Sequence, residues 1–450
     1  MPCKRTLLCI LCLLFFDVPT ASANDSPTHP TAWTVQEAVS FALDNSPDVR
    51  ITMQRIKVAQ ATVVAAQSAY YPQIGISAGY DRTNNPMYSF GNILNQGQFT
   101  QDIDFNSPGI SDDLNLTGSI QYRFYNGGVD EAGVRAARAS ERAARFEQAA
   151  INSRLGFEVV RSFYSIVQAE ENFQARESSL KAIEVSLQAA QARFEAGDLL
   201  KADLLNLEVQ KSRADEDLIR ARHGLELARR GFLNLLGLEQ GTVEIDTAQQ
   251  AEQASPEKPT YERRPELAGL DAMLQAAEEK VRQARGGYYP SADLFGSYQV
   301  DKGFEFDEGS GNSWMAGVKV NYNLFNGHRT SAEVSRATAK LAEIREQKHK
   351  LELTFNYEIE QASLALQQAE ERLQVTEKMV EQAVESARLS RERFKEGVIL
   401  ASDLIEVENR LTDARVHNLM ARAARRIAIA DLRRSAGLGQ FDEIATTENP

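Results

Sequence analysis

The chain has 450 residues, a formal net charge of −13 and 25% charged residues. This acidic balance and the lack of a basic patch argue against nucleic acid as a partner. The five histidines are scattered along the chain, with neither metal-ligand spacing nor a Ser/His/Asp order. The sequence therefore predicts no enzyme, no cofactor and no metal centre.

Residues 1–23 have the layout of a secretory signal peptide. Lys4 and Arg5 precede an apolar run of about 10 residues, which is too short to cross a bilayer as a helix. Small residues ending at Ala23 then mark a cleavage site. All three cysteines lie in this segment, and Cys12 follows large leucines rather than the small residues of a lipidation site. The mature chain is thus expected to lack thiols, disulfides and a lipid anchor.

No later stretch holds about 18 consecutive apolar residues, so no transmembrane helix is predicted. An exported chain of this kind is periplasmic, secreted or part of an outer-membrane β-barrel. Prolines are absent from 109–255 and again from 291–449, and each gap leaves room for very long helices.

Short motifs recur in the same order in both halves of the chain, which predicts an internal tandem duplication. The recurring pairs are Tyr70-Tyr71-Pro72 with Tyr288-Tyr289-Pro290, Phe124-Tyr125-Asn126-Gly127 with Leu324-Phe325-Asn326-Gly327, and Arg193-Phe194 with Arg393-Phe394. We therefore divide the chain into a first repeat (24–240), a proline-marked linker (241–264), a second repeat (265–440) and a tail (441–450).

Four segments alternate between apolar and polar residues, as strands with one apolar face do. They lie at about 72–81, 114–125, 290–300 and 313–325, and aromatic residues cluster near their ends. Their length favours a transmembrane barrel over a water-facing β-sandwich, and no further β segments are predicted. Four strands cannot close a barrel, and lipid does not tolerate open strand edges, so several chains must contribute. The pattern alone does not fix how many.

Long segments rich in Ala, Glu and Leu follow each strand pair and predict helices. They lie at about 128–196 and 200–236 in the first half, and at about 328–396 and 401–436 in the second. Heptad spacing of apolar residues within them predicts coiled-coil seams. Gly197 and Gly397 separate the helices of each pair and predict tight turns far from the strands. An ordinary coiled-coil scaffold would explain these helices but not the strands.

The chain has these motifs in the same order as the TolC family of outer-membrane efflux proteins, and it resembles that family over nearly all of its mature length. The resemblance implies a mixed α and β membrane protein that forms a homotrimer. Its long helices form a periplasmic coiled-coil tunnel, and four strands per chain join a shared twelve-stranded barrel in outer-membrane lipid. Such channels give passive passage to drugs, metals or proteins. They work with a periplasmic adaptor and with an inner-membrane pump driven by protons or ATP.

The alternative to a channel is an exported periplasmic or surface coiled-coil protein with a structural or adhesive role. It accounts for the signal peptide and the helices. It leaves the four alternating strands without a purpose.

Three acidic residues near the turns are candidates for the tunnel entrance. Asp403 and Glu406 are three residues apart and share a helix face. In the resemblance they match two acidic positions that ring the periplasmic opening of the pore, and Asp203 is the first-half counterpart. The alternative is that these acids cap a helix N-terminus and complement its dipole. We favour that alternative for Asp203, and the pore for the other two.

Phe194, Gly197, Phe394 and Gly397 are expected to be exposed at the tips, where the resemblance implies that an adaptor docks. Plain turn chemistry is the alternative explanation. The family also has a tyrosine and an arginine that latch the second turn shut. Those positions are Phe394 and Ile399 here, so a weaker or more hydrophobic closure is expected.

The two strand connections, 81–113 and 301–312, are expected to be polar loops. Asp301, Asp307 and Glu308 in the second connection carry oxygen ligands suited to a cation. The sequence favours the simpler interpretation that all three are solvated loop acids.

Overall fold

The computed structural model describes residues 32–246, 253–305 and 309–441. The predicted signal peptide, Cys12, Asp307 and Glu308 lie outside the described residues, as does most of the tail. The described chain opens with β1 (Ala32–Trp33), α1 (Val35–Asn45) and α2 (Pro47–Gln67). The elements that follow are β2 (Gln73–Thr83), α3 (Pro86–Asn95), β3 (Ser111–Tyr125), α4 (Val129–Glu195), α5 (Lys201–Leu236), β4 (Glu244–Ile245), α6 (Pro265–Gly286), β5 (Ser291–Lys302), β6 (Ser310–Asn321), α7 (Arg329–Lys395) and α8 (Ala401–Ser435).

Four long strands form one antiparallel sheet in the order β2-β3-β5-β6. Its register places apolar residues opposite one another on one face, as where Ile74 pairs with Ile120. The chain leaves this face uncovered, since Ile76 and Trp314 are 80% and 76% exposed. The opposite face is polar and carries the ion pair between Arg123 and Asp293 (2.8 Å). A sheet with these two faces suits lipid on one side and water on the other.

The last strand is shorter than its pattern predicts. Alternation continues to Leu324 and predicts a strand to about residue 325, but β6 ends at Asn321, which pairs with Ser291 at the start of β5. Pro290 comes next on the partner side and has no N–H to extend the ladder. The prediction of a strand over the last four residues is therefore wrong.

The connection 84–110 contains a helix, where a polar loop was predicted. Pro86 occupies the first turn of α3, and the Asn85 side chain accepts a hydrogen bond from the Met87 amide (3.1 Å). Asparagine at the N-cap followed by proline at the first helical position is a typical helix start. The helix packs against β3 and β6. At its end, Gln96 donates from Nε2 to the Asp112 carbonyl oxygen (2.7 Å).

Two very long helices form the body of the molecule. Helices α4 and α7 have 67 residues each, and α5 and α8 have 36 and 35. At 1.5 Å per residue, the longer pair spans about 100 Å. Near the sheet, α4 packs on α2 and α6, and α6 packs on α7. Near the turns, α4 packs on α5 and α8, and α8 packs on α7. Helix α7 therefore lies at one side of this layer along its length, with α2 and α5 at the other.

The largest hydrophobic core lies at the waist, where the middle of α4 meets the ends of α5 and α8. Trp33 is fully buried there, and its ring centroid lies 6.1 Å from that of Phe232. The neighbouring strand β1 pairs in parallel with β4, which belongs to the linker between the two halves. This pair was not predicted, because two residues per strand are too few for a periodic pattern.

We expect Gly311→Ala to loosen α3 from the sheet. A Cβ atom at Gly311 would overlap the carbonyl oxygen of Asn95, the last residue of α3. Such overpacking costs about 1–3 kcal/mol, so chymotrypsin should cleave 84–110 roughly tenfold faster in folded protein. Gly79→Ala is the matched control, because a Cβ atom there meets nothing within 4 Å. Equal cleavage of the two variants would contradict this packing.

Candidate functional site

The two turns far from the sheet have the same backbone geometry. Gly197 and Gly397 have φ of 84° and 73°, in the left-handed region that glycine adopts without strain. The Gly197 amide donates to the Phe194 carbonyl oxygen (3.0 Å), and the Gly397 amide donates to that of Phe394 (3.0 Å). These bonds satisfy carbonyl groups that the ending helices leave free, so each turn is a helix stop.

The two turns lie against each other at one tip of the molecule. Phe394 from the second half packs with Leu207 from the first half and with Leu404. Its side chain is 3% exposed, so the prediction that it is exposed at the tip is wrong. The residue faces the other hairpin because α7 and α8 meet α4 and α5 here. Ile399, the other residue at a latch position, packs against the same cluster.

Arg193 holds the two turns together, and its role was not predicted from the sequence. Its Nη1 donates to the carbonyl oxygen of Phe394 (3.3 Å), and its Nη2 donates to that of Asp198 (3.5 Å). The guanidinium carbon also lies 5.5 Å from the centre of the Phe394 ring, within cation–π distance. Phe194, Gly197 and Gly397 are exposed around this contact, as expected.

The three candidate acids begin the helices that follow the turns. Asp403 is exposed, and its Oδ2 accepts a long hydrogen bond from the Leu400 amide (3.4 Å), which is a capping contact. Glu406 is exposed and pairs with Arg410 one turn later. Asp203 is half-buried in the first turn of α5. Asp403 and Glu406 thus each have a local contact, and the pore-lining role of all three acids stays a prediction.

A buried carboxylate close to this tip was also missed. Glu408 accepts two hydrogen bonds from Arg391, one of them from Nη2 to Oε2 (2.7 Å), and so joins α7 to α8. Donating these hydrogen bonds to Glu408 raises the pKa of Arg391 above its usual value. The signal was present in the sequence, since Glu408 follows Ala401 and Leu404 at the spacing of an apolar seam. An acid at such a position requires a partner.

Catalytic and metal sites need functional side chains that are grouped in space. No three or more His, Cys, Asp or Glu side chains are grouped so that they alone could hold a metal ion in 32–246, 253–305 and 309–441. Within the same ranges, no helix has both the length and the apolar character needed to span a membrane. A groove of about 870 Å³ lies between α4, α6 and α7 and is lined mainly by alanines and long side chains.

A β-sheet with an uncovered apolar face, continued by helices of about 100 Å, is the architecture of outer-membrane channel subunits. The family model described as outer membrane efflux protein matches residues 38–238 and 260–438. The chain belongs to this family. It is therefore a channel component of the outer membrane rather than an enzyme, and its helical part lies in the periplasm.

Individual relatives agree with this assignment over most of the chain. The pyoverdine export outer membrane protein OpmQ of Pseudomonas aeruginosa is 24% identical over 416 residues, covering 88% of this chain and 84% of the relative. Protein CyaE of Bordetella pertussis is 25% identical over 353 residues, covering 73% and 71%. The crystal structure of the Campylobacter jejuni CmeC outer membrane channel superposes with a TM-score of 0.79 at 16% identity, covering 91% and 87%.

We expect Arg391→Ala to destabilise the tip. The substitution leaves the buried Glu408 carboxylate without its cation, which costs about 1–3 kcal/mol. Guanidinium denaturation of the full-length protein in detergent, followed by helical circular dichroism, measures the loss. The matched control is Arg388→Ala. Arg388 and its partner Glu385 are both 58% exposed, so this change should stay within about 0.5 kcal/mol. Equal effects would show that the Arg391 pair adds nothing.

Proposed function

We propose that three copies of this chain assemble into one channel. The channel gives exported substrates passive passage from an inner-membrane pump to the cell exterior. The observation that carries the proposal is that the sheet of each chain has two unpaired edge strands, β2 and β6. Strand β6 of one copy is antiparallel to β2 of the next if the alternation within the sheet continues. Closure around a ring would pair every backbone group in the lipid.

The helical layer has two matching apolar edges. Large apolar residues are exposed on α7 at one side and on α2 and α5 at the other. Those on α7 are Leu353, Leu364, Val375, Val384 and Leu389, and those on the other side are Ile51, Val58, Leu205, Val209 and Ile219. Helix α5 begins at the tip and α7 ends there. A residue of α5 and a residue of α7 that are equally far along the chain from their turns therefore lie at similar heights above the tip. Contact between copies would bury both edges.

Three copies fit better than two. Two copies would supply about eight strands, and side chains largely fill the interior of a barrel of that size. Three copies would supply twelve and leave a lumen. The polar face of the sheet would line it, with the Arg123 and Asp293 pair and the exposed Lys319. A water-filled lumen is the environment that such residues require.

The tip is the surface that we assign to the periplasmic adaptor. Leu200, Val398 and Leu400 are exposed beside the two turns, although they are large and apolar. A helical hairpin of the adaptor would cover them. The inner-membrane pump would supply the energy and select the cargo, so the channel itself would need neither a cofactor nor a substrate-specific pocket.

We further propose that Asp403 and Glu406 line the periplasmic opening, with Asp203 close by. Both acids are exposed on the first turns of α8, close in sequence to Leu404 of the buried contact between the two turns. Three copies would place six such carboxylates around the axis. A ring of carboxylates attracts cations and repels anions at a narrow opening.

The assembly is tested by disulfide crosslinking between copies. After loss of residues 1–23 the chain has no cysteine, so Ile219→Cys with Val375→Cys introduces the sole thiols. Oxidation in outer membranes should give covalent products no larger than trimers, and the purified protein should conduct ions in planar bilayers. Ile219→Cys with Leu353→Cys is the control. Leu353 lies far higher on α7, so this pair should not crosslink. A monomer that does not conduct would exclude the channel, and larger ladders would exclude the trimer.

We expect Asp403→Asn with Glu406→Gln to weaken block by a trivalent cation added on the periplasmic side about tenfold, and to lower cation selectivity. Asn keeps the capping oxygen of Asp403, so the fold should be unchanged. Glu385→Gln with Glu392→Gln removes the same charge from exposed positions on α7 and serves as the control. Equal block in both variants would remove Asp403 and Glu406 from the pore.

A further inference from the structure

Three carboxylates lie on the polar face of the sheet, at the end nearest α3. Asp81 on β2 pairs directly with Asp113 on β3, and Asp301 on β5 pairs with Asn115, two residues along β3. Asp113 and Asp301 are 4% and 0% exposed, so the prediction that Asp301 is a solvated loop acid is wrong. Strand β5 extends to Lys302, which places Asp301 inside the sheet.

The hydrogen-bond partners of these carboxylates are neutral amides. Asn115 and Gln299 donate to Asp301 Oδ1 (2.7 and 2.8 Å), and Gln96 donates to Asp113 Oδ1 (3.1 Å). Asn92 Nδ2 makes a longer bond to Asp81 Oδ2 (3.3 Å). Ion pairs of the described residues at this end lie elsewhere, as between Arg82 and Glu305 (2.6 Å). The hydrogen bonds to these carboxylates therefore come from amides, without a cationic side chain of the described residues.

Two oxygen atoms within this cluster are buried and have no hydrogen-bond partner among the described residues: Asp301 Oδ2 and Gln96 Oε1. The carboxyl groups of Asp113 and Asp301 lie within hydrogen-bonding reach of each other. Burying an ionised oxygen without a partner is costly, and a second carboxylate beside it adds repulsion. The paired carboxyl groups of Asp113 and Asp301 therefore lack a compensating positive charge among the described residues.

We propose that Asp113, Asp301 and Gln96 bind a hard divalent cation of the Ca²⁺ type between β3, β5 and the end of α3. Carboxylate and amide oxygens are the ligands that Ca²⁺ takes in proteins, and waters complete its shell. A half-turn of the Gln96 amide would present Oε1, in place of Nε2, to the ion. The described cluster offers neither thiolate nor imidazole, so metals that prefer those ligands are disfavoured. Asp81 would add charge to the site without being required as a ligand.

The ion would connect α3 to the sheet. Gln96 directly follows α3, whereas Asp113 and Asp301 belong to two different strands. One ion shared among them fixes the helix over the polar face at the mouth of the barrel. That this mouth opens to the exterior, where such ions are available, rests on the proposed function.

Calcium titration of the full-length protein in detergent, followed by calorimetry, tests the site. We expect one ion per chain, with a dissociation constant of about 10⁻⁴ to 10⁻³ M, in the range of extracellular modules. Asp301→Asn and Asp113→Asn should abolish this binding, and Gln96→Leu, which leaves the strands intact, should weaken it about tenfold. The matched control is Asp293→Asn. Asp293 is equally buried on the same strand but already pairs with Arg123, so binding should persist.

A second readout separates the ion from a shared proton. Calcium should slow chymotryptic cleavage of 84–110 in the unaltered protein and in Asp293→Asn, but not in Asp301→Asn. Absence of calcium binding by the unaltered protein would overturn the site, as would full binding by Asp301→Asn. Protection that follows acidification and ignores calcium would also overturn it. Each of these outcomes can occur in a conducting trimer, so failure of the site and failure of the channel are distinguishable.

Discussion

The structure depends on one constraint, which is that every backbone N–H and C=O group in a bilayer must find a partner within the protein. The sheet of this chain satisfies it for β3 and β5 and leaves one edge each of β2 and β6 open. The uncovered apolar face of the sheet suits lipid, and the proposed assembly would pair the open edges with those of other copies. The long helices follow from the same arrangement. They continue from the sheet into the periplasm, and large apolar residues are exposed on both flanks of the helical layer.

Much of this was accessible from the sequence because it is periodic. Alternation found the four strands of the sheet, proline-free stretches found the long helices, and Gly197 and Gly397 marked the turns. The errors share a cause, which is that burial by distant parts of the chain leaves no local pattern. Phe394 was expected to be exposed because it adjoins a turn, but the other hairpin covers it. Asp301 was expected to be solvated because it is acidic and near a connection, but α3 and two strands enclose it.

Charged residues near the tip mark contacts between different helices. Glu408 interrupts the seam of α8 and has a dedicated partner in Arg391. Arg193, three residues before the first turn, contacts the second turn rather than its own hairpin alone. Both residues connect helices that are adjacent at the tip, where small and apolar side chains leave little room. In related sequences, a charged residue at an apolar seam position is therefore expected to have a partner on a neighbouring helix.

The core at the waist sets where the ends of the described chain emerge. Trp33 near one end is buried in this core, and Phe441 at the other end packs against the same core. Both lie midway along α4, far from the sheet and from the turns. A fluorescent label or affinity tag joined at either end of the described chain would therefore project sideways from the waist of the molecule. It would leave the sheet end free for electrophysiology and the tip free for adaptor binding. Two such labels would report on changes at the waist.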